Sequence, residues 1–181
     1  MGSIRLGIPE DIALRLRDAM DLKWFVETGS YKGGTLRWAA ENFKNVVSIE
    51  MSEKYFCRLT EKTPENVRLV LGDSRTELAK NLPAAPAMLW LDAHWCGNYE
   101  LSVNTPGECP LMEELQAIRD YDAILIDDAR LFLDPPPRPH DPEQWPSFDQ
   151  IADILNGRFV TIIDDVIIAV PPEFEKALEC K

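Results

Sequence analysis

The amino-acid sequence predicts an α/β fold: a doubly wound, mostly parallel sheet with helices on both faces and a C-terminal antiparallel β-hairpin. Three observations carry this expectation. Short apolar runs alternate with helical segments five times, as a parallel sheet with crossover helices requires. The fourth and fifth runs, Met88-Leu-Trp-Leu-Asp92 and Ala123-Ile-Leu-Ile-Asp127, are apolar almost throughout, the pattern of strands covered on both faces. The last two runs, 159–163 and 166–170, are separated only by Asp164-Asp165, which reads as a tight turn between antiparallel strands.

Residues 9–22 read as a helix, with Pro9 at its first turn and Ile12, Leu14 and Leu16 among its apolar positions. The first strand is 24–28, and a glycine-rich loop, Gly29-Ser-Tyr-Lys-Gly-Gly34, leads into a helix from about Thr35 to Phe43. A second strand at 46–50 precedes a helix at 53–61, and a third at 67–71 ends on Gly72-Asp73-Ser74 before a helix at 76–81. After the fourth strand, 93–110 is irregular, and a helix covers 111–119. After the fifth, Asp134-Pro-Pro-Pro-Arg-Pro-His-Asp-Pro142 cannot form regular helix or sheet, because proline removes donors and fixes φ. A helix at 147–155 has Ser147 as N-cap and Gly157 as its stop.

At 181 residues the chain is read as one domain, 1–181, large enough to need no disulfide or metal staple. Nineteen Lys and Arg against thirty-one Asp and Glu leave a net charge of −12. That balance argues against tracking a nucleic-acid backbone or adhering to an anionic membrane. No apolar run approaches the length of a membrane span and no leader pattern precedes the first helix, so a cytoplasmic location is expected. Cys57, Cys96, Cys109 and Cys180 form no CxxC pair and are read as reduced thiols, with Cys96 and Cys109 the one pair close enough in a loop to watch.

In an open α/β sheet, ligands bind beyond the carboxyl ends of the strands. Glu27-Thr-Gly29-Ser30-Tyr-Lys-Gly33-Gly34-Thr35 lets the backbone approach a ligand, and the helix N-terminus offers free N–H groups. The spacing is not GxGxxG, so a pyrophosphate loop is disfavoured, while Glu27 suits an ammonium group. The plainer reading is a tight turn with a solvated Glu. Glu50, 21 positions after Gly29 and followed by Met51, stands where a ribose diol is bound, or is simply a carboxylate at a helix start. Asp73-Ser74 suits the exocyclic amine and a ring nitrogen of adenine, or a helix N-cap.

Asp92 ends the fourth strand and Asp127-Asp128 end the fifth, on strands expected to be neighbours. Three hard oxygen donors suit Mg²⁺ or a similar divalent cation. Without a cation the carboxylates would raise one another's pKa values. The alternative is that Asp128 caps its loop and the others are ordinary strand-end acids. His94 reads as a general base, a further metal ligand, or a histidine hydrogen-bonded in its loop. Trp95 either stacks on an acceptor or packs the loop, and His140 is expected in solvent. Asp164-Asp165 is assigned to the surface turn and Glu113-Glu114 to a solvated helix face. Glu108 either ends the loop near the metal or has no role there.

Taken together, the glycine loop, Glu50 and Asp73 resemble the cofactor motifs of class I S-adenosylmethionine-dependent methyltransferases, over essentially the whole chain. Among these, Asp92 with Asp127-Asp128 looks like the metal-dependent O-methyltransferases, including catechol O-methyltransferase. Glu27-Thr-Gly29, Lys32-Gly33-Gly34, Gly72-Asp73 with Arg75, and Ile126-Asp127-Asp128 are similar to the macrocin O-methyltransferase group of sugar enzymes. The resemblance implies a Rossmann-like seven-stranded sheet closed by the hairpin, and S-adenosylmethionine held by Glu27, Gly29, Ser30, Gly33, Thr35, Glu50, Met51, Asp73 and Ser74. It implies Mg²⁺ on Asp92, Asp127 and Asp128, catalysis by His94 and Asp92, and a hydroxylated small-molecule acceptor under loops 93–110 and 130–146. The chain lacks the extra helices that build the acceptor pocket in such enzymes, so a homodimer sharing walls is one expectation. A non-catalytic partner module of the same fold is the alternative, and a hydrolytic use of Asp92, His94 and Asp127 a third.

Overall fold

The computed structural model describes residues 7–95 and 107–179. Seven strands, β1 (Trp24–Thr28), β2 (Asn45–Glu50), β3 (Val67–Leu71), β4 (Ala87–Leu91), β5 (Ala123–Ile126), β6 (Phe159–Ile163) and β7 (Val166–Val170), form one sheet in the order β3-β2-β1-β4-β5-β7-β6. β1 to β5 are mutually parallel, whereas β7 pairs antiparallel with both β5 and β6. The sheet, its order and the terminal hairpin bear out the expected fold class. Asp164 and Asp165 both take left-handed φ values, 51° and 66°, the geometry that a two-residue hairpin turn demands.

Alternation along the strands divides the core in two. Val26, Val47, Leu89, Leu91, Ile124, Ile126 and Ile167 face one side, where they meet Leu78 of α4 (Ser74–Asn81), Leu111 and Leu115 of α5 (Leu111–Ala117), and Ile151 of α7 (Phe148–Ile154). Phe25, Val46, Met88, Trp90, Leu125 and Ile168 face the other side, against Ile12 and Leu16 of α1 (Glu10–Ala19) and Ala39 of α2 (Gly34–Asn42). This two-sided burial explains why β4 and β5 carry no polar alternation. The remaining helices are α3 (Glu53–Thr60) and α6 (Arg130–Leu133).

Differences from expectation are local. The short α6 and two 3-10 segments, Pro142–Gln144 and Pro172–Leu178, have no periodicity long enough to read in sequence. α4 begins two residues earlier than expected because Asp73 accepts from the Arg75 backbone N–H and starts the turn there. Ser147 and Gln150 form a reciprocal capping box at α7, as its sequence suggests.

Candidate active site at the strand ends

The sheet order brings the ends of β3, β2, β1, β4 and β5 into one row. Backbone bonds continue the ladder past each strand and fix where the loops start: Gly72 N to Glu50 O at 3.0 Å, Gly29 N to Ile49 O at 2.9 Å, Asp92 N to Thr28 O at 3.2 Å and Asp127 N to Leu91 O at 3.1 Å. Gly29 has φ +82°, and a Cβ there would lie 2.2 Å from the Asp92 carbonyl oxygen. Only glycine fits, so the first loop is pressed directly against the end of β4.

The expected cofactor residues are all placed on this row. Glu27 is buried rather than solvated: Ser48 Oγ donates to its carboxylate, and Ser30 Oγ lies 2.5 Å from Ser48 Oγ. Burial, with the Glu50 charge adding to it, raises the Glu27 carboxyl to about 8. Glu50 accepts from Tyr31 N and Ser52 N, both at 2.7 Å, and burial raises its pKa against the pull of those donors. Its carboxylate is therefore held still between the glycine loop and the start of α3. Gly33 takes φ +72° ahead of α2, Thr35 lies half-buried in the helix's first turn, and Met51 is half-buried beside Glu50. Asp73 caps α4 and also pairs with Arg75 at 3.2 Å, while Ser74 is buried.

At the other end of the row, Asp92 and Asp128 flank His94. The imidazole side chain is only 6% exposed, with Nε2 3.7 Å from Asp92 Oδ1 and 3.4 Å from Asp128 Oδ2. Among the described residues, neither ring nitrogen meets side-chain hydrogen-bond geometry, although Nε2 lies within ion-pair reach of both carboxylates. Burial lowers the His94 pKa although the Asp128 charge opposes it, so the ring is held neutral. Asp92 is raised well above the usual carboxylate range by burial and then by Asp127 and Asp128, and Asp127 reaches about 7 through burial and Asp128. The three acids thus repel one another, as their spacing in sequence suggested. Among the described residues, no group of three or more acid, histidine or cysteine side chains is placed to hold a metal ion.

Several expectations are corrected here. His140 is not in solvent: its side chain is 10% exposed, with Nδ1 3.2 Å from Glu108 Oε2. Glu108 also accepts from Trp145 Nε1 at 2.8 Å and from Asp141 N, so this one carboxylate ties the proline-rich loop to the end of loop 93–110. Trp95 packs edge-on to His140 at 5.2 Å, and Trp145 lies 5.3 Å from the His94 ring, so the loop tryptophans serve packing. Glu114 is buried, not solvated, and burial raises its pKa to about 7 against the opposing pull of hydrogen bonds from Ser74 and Thr28. Its spacing from Leu111 and Leu115 places it on the buried face of α5, a signal the sequence did carry. Asp165 is more than a turn residue: it bonds the Arg130 backbone N–H at 2.9 Å, and the Arg130 guanidinium bridges it to Asp128. Nothing in sequence linked Arg130 to residues 35 positions away.

Cys57 and Cys109 are free thiols, and burial pushes Cys109 up to about 12, which leaves it unreactive. The suggested pairing of Cys109 with Cys96 falls outside the described residues.

This architecture matches solved structures of S-adenosylmethionine-dependent methyltransferases. The O-methyltransferase TomG from Streptomyces achromogenes, in complex with SAM, is 16% identical with a TM-score of 0.55, over 93% of this chain and 82% of that one. The O-methyltransferase from Bacillus cereus in complex with SAH is 15% identical with a TM-score of 0.55, over 93% and 83%. Cofactor-bound Rv0187 from MTB is 16% identical with a TM-score of 0.58, over 93% and 82%. No family model and no curated protein sequence matches the chain. The chain therefore has the class I methyltransferase fold. At these identities the likeness is one of fold.

Proposed function

We propose that this protein transfers a methyl group from S-adenosylmethionine to a hydroxyl of a small molecule, a sugar or a secondary metabolite, with a divalent cation assisting. The observation that carries the reading is His94, a buried neutral imidazole whose Nε2 is set between the Asp92 and Asp128 carboxylates at the end of the row. A nitrogen kept neutral beside acids is suited to accept a proton.

The residues fit the cofactor. A Cβ at Gly34 would meet nothing within 4 Å, so the first turn of α2 opens onto free space, and that helix has no side-chain cap. Glu50, beside it, is already oriented by two backbone donors. Glu27, Gly29, Ser30, Gly33 and Thr35 would hold the amino-acid end, Glu50 and Met51 the ribose, and Asp73 and Ser74 the adenine. The acids suit a divalent cation in donor chemistry, although their side chains are not gathered as a ligand set in this arrangement. Asp92 and Asp127 carry mutual repulsion that positive charge would relieve, and Arg130, paired with Asp128 and Asp165, offsets it in part at Asp127. Asp92, Asp127 and Asp128 would hold it.

S-adenosylmethionine supplies an electrophilic methyl group, and a divalent cation supplies charge that lowers the pKa of an acceptor hydroxyl. His94 then takes the hydroxyl proton at Nε2, and the Asp128 carboxylate 3.4 Å away stabilises the imidazolium that results. Trp145 covers the ring, and Glu108 holds Trp145 in place.

The test is calorimetric titration of S-adenosylmethionine and S-adenosylhomocysteine, with and without Mg²⁺, followed by turnover with hydroxylated acceptors. Micromolar cofactor binding is expected. Asp128→Asn should abolish turnover and leave cofactor affinity nearly unchanged. Absence of binding at millimolar cofactor would refute the methyltransferase reading, and binding without turnover on any acceptor would assign a partner module instead.

A further inference from the structure

Beside the strand-end row, α2 and the end of α3 enclose a cavity of about 140 Å³. Lys32, Arg37, Arg58 and Lys62 line it, together with Tyr31 and Tyr55. Four cations around one small cavity run against the composition of a chain with net charge −12. Arg58 follows Lys54 by four positions in α3, a like-charge spacing that weakens a helix, and Lys62 stands just past the helix end. Among the described residues, none of the four lining cations forms an ion pair with a carboxylate.

The cations are instead arranged on an aromatic wall. The tyrosine rings lie 4.8 Å apart, Lys32 Nζ is 4.9 Å from the Tyr31 centroid, and the Arg58 guanidinium is 5.8 Å from that of Tyr55. Arg37 Nη1 donates to the Lys32 carbonyl at 3.0 Å. Tyr31 takes φ +48°, a left-handed conformation that disfavours a bulky side chain. In that conformation its N–H serves Glu50 while its side chain lines the cavity.

We infer that this cavity binds the phosphoryl group of a small anionic ligand, next to the cofactor residues but not among them. Guanidinium forks and ammonium groups together are the side-chain chemistry of phosphate recognition. Because the rings are engaged by each other and by Lys32 and Arg58, the charge is what the pocket reads, not a stacked base. Tyr31 separates the two sites, with Glu50 on its backbone side and the cavity on its ring side.

The experiment is calorimetry of inorganic pyrophosphate into the full chain at low ionic strength, without divalent cation, and then with saturating S-adenosylhomocysteine. Submillimolar one-site binding is expected, unchanged by S-adenosylhomocysteine. The doubly substituted Arg58→Gln, Lys62→Gln protein, altered only at exposed positions and checked for native circular dichroism, should bind at least tenfold more weakly. Lys44→Gln, remote from the cavity, should bind as the parent does. ADP in place of pyrophosphate distinguishes an organic phosphate, bound more tightly, from a free one, bound equally well. The proposal is overturned by no saturable binding, by equal loss in the Lys44 variant, or by displacement with S-adenosylhomocysteine, which would place the anion in the cofactor row.

Discussion

Replacing Glu27 by Gln tests whether a buried carboxyl beneath the glycine loop is carried at the expense of stability. In the folded chain its pKa rises from the ordinary 4.5 to about 8. Between those values the native state binds a proton that the unfolded chain releases, so stability falls as pH rises through the window and levels off above it. At pH 7 the mismatch extends over about 2.5 pH units, which corresponds to about 3 kcal/mol. Gln has no such proton to hold, and its amide oxygen can still accept from Ser48. Glu27→Gln should therefore stabilise the ligand-free protein at pH 7 by up to about 3 kcal/mol, or about 6–12 °C in Tm for a domain of this size. At pH 4, where both states are protonated, the gain should vanish. Urea unfolding of both proteins at pH 4, 6 and 8 measures this directly. A stabilisation independent of pH, or none at pH 8, would refute the reasoning. The same substitution should weaken cofactor binding most above pH 8, where the Glu27 carboxyl is ionised and offers an ammonium group a charge that Gln cannot supply.

Other outcomes follow from single contacts. Gly29→Ala should destabilise the fold by roughly 2–4 kcal/mol, since the new Cβ meets a backbone oxygen at a left-handed φ, and denaturant midpoints will report it. Glu108→Gln removes the charge that gathers Trp145, Asp141 and His140, so it should cost about 1–3 kcal/mol and speed proteolysis between residues 134 and 141. Asp122 is fully buried and accepts from Ala87 N and from the Arg119 backbone and guanidinium. Asp122→Ala should cost about 3–5 kcal/mol in chemical denaturation by removing the carboxylate that faces Arg119 and the acceptor of the buried Ala87 N–H.

Much of the strand-end row was legible because its signals are local. Glu50 and Asp73 follow apolar runs whose length announces a strand, and Gly29 lies in a loop with three glycines among its six residues. The acids Asp92 and Asp127 were readable for the same reason, and the order of elements put their strands side by side. His140 and Glu108 were not legible, because their burial depends on a contact across 32 positions that no periodicity encodes. Glu114 was legible and passed over: acidity outweighed its spacing, although i, i+3 and i+4 positions share one helix face.

Sequence by itself determined the alternation of elements, the two-sided burial of β4 and β5, and the antiparallel closure, because hydrophobic period and turn length act over a few residues. Only tertiary structure decided which acids are neutralised and which stand unpaired. Arg130 reaches Asp165 across the sheet end, Glu108 collects the proline-rich loop, and His94 is buried between Asp92 and Asp128. Charge and hydrogen bonding act through space, so their outcome is fixed when the strands are laid in order and not before.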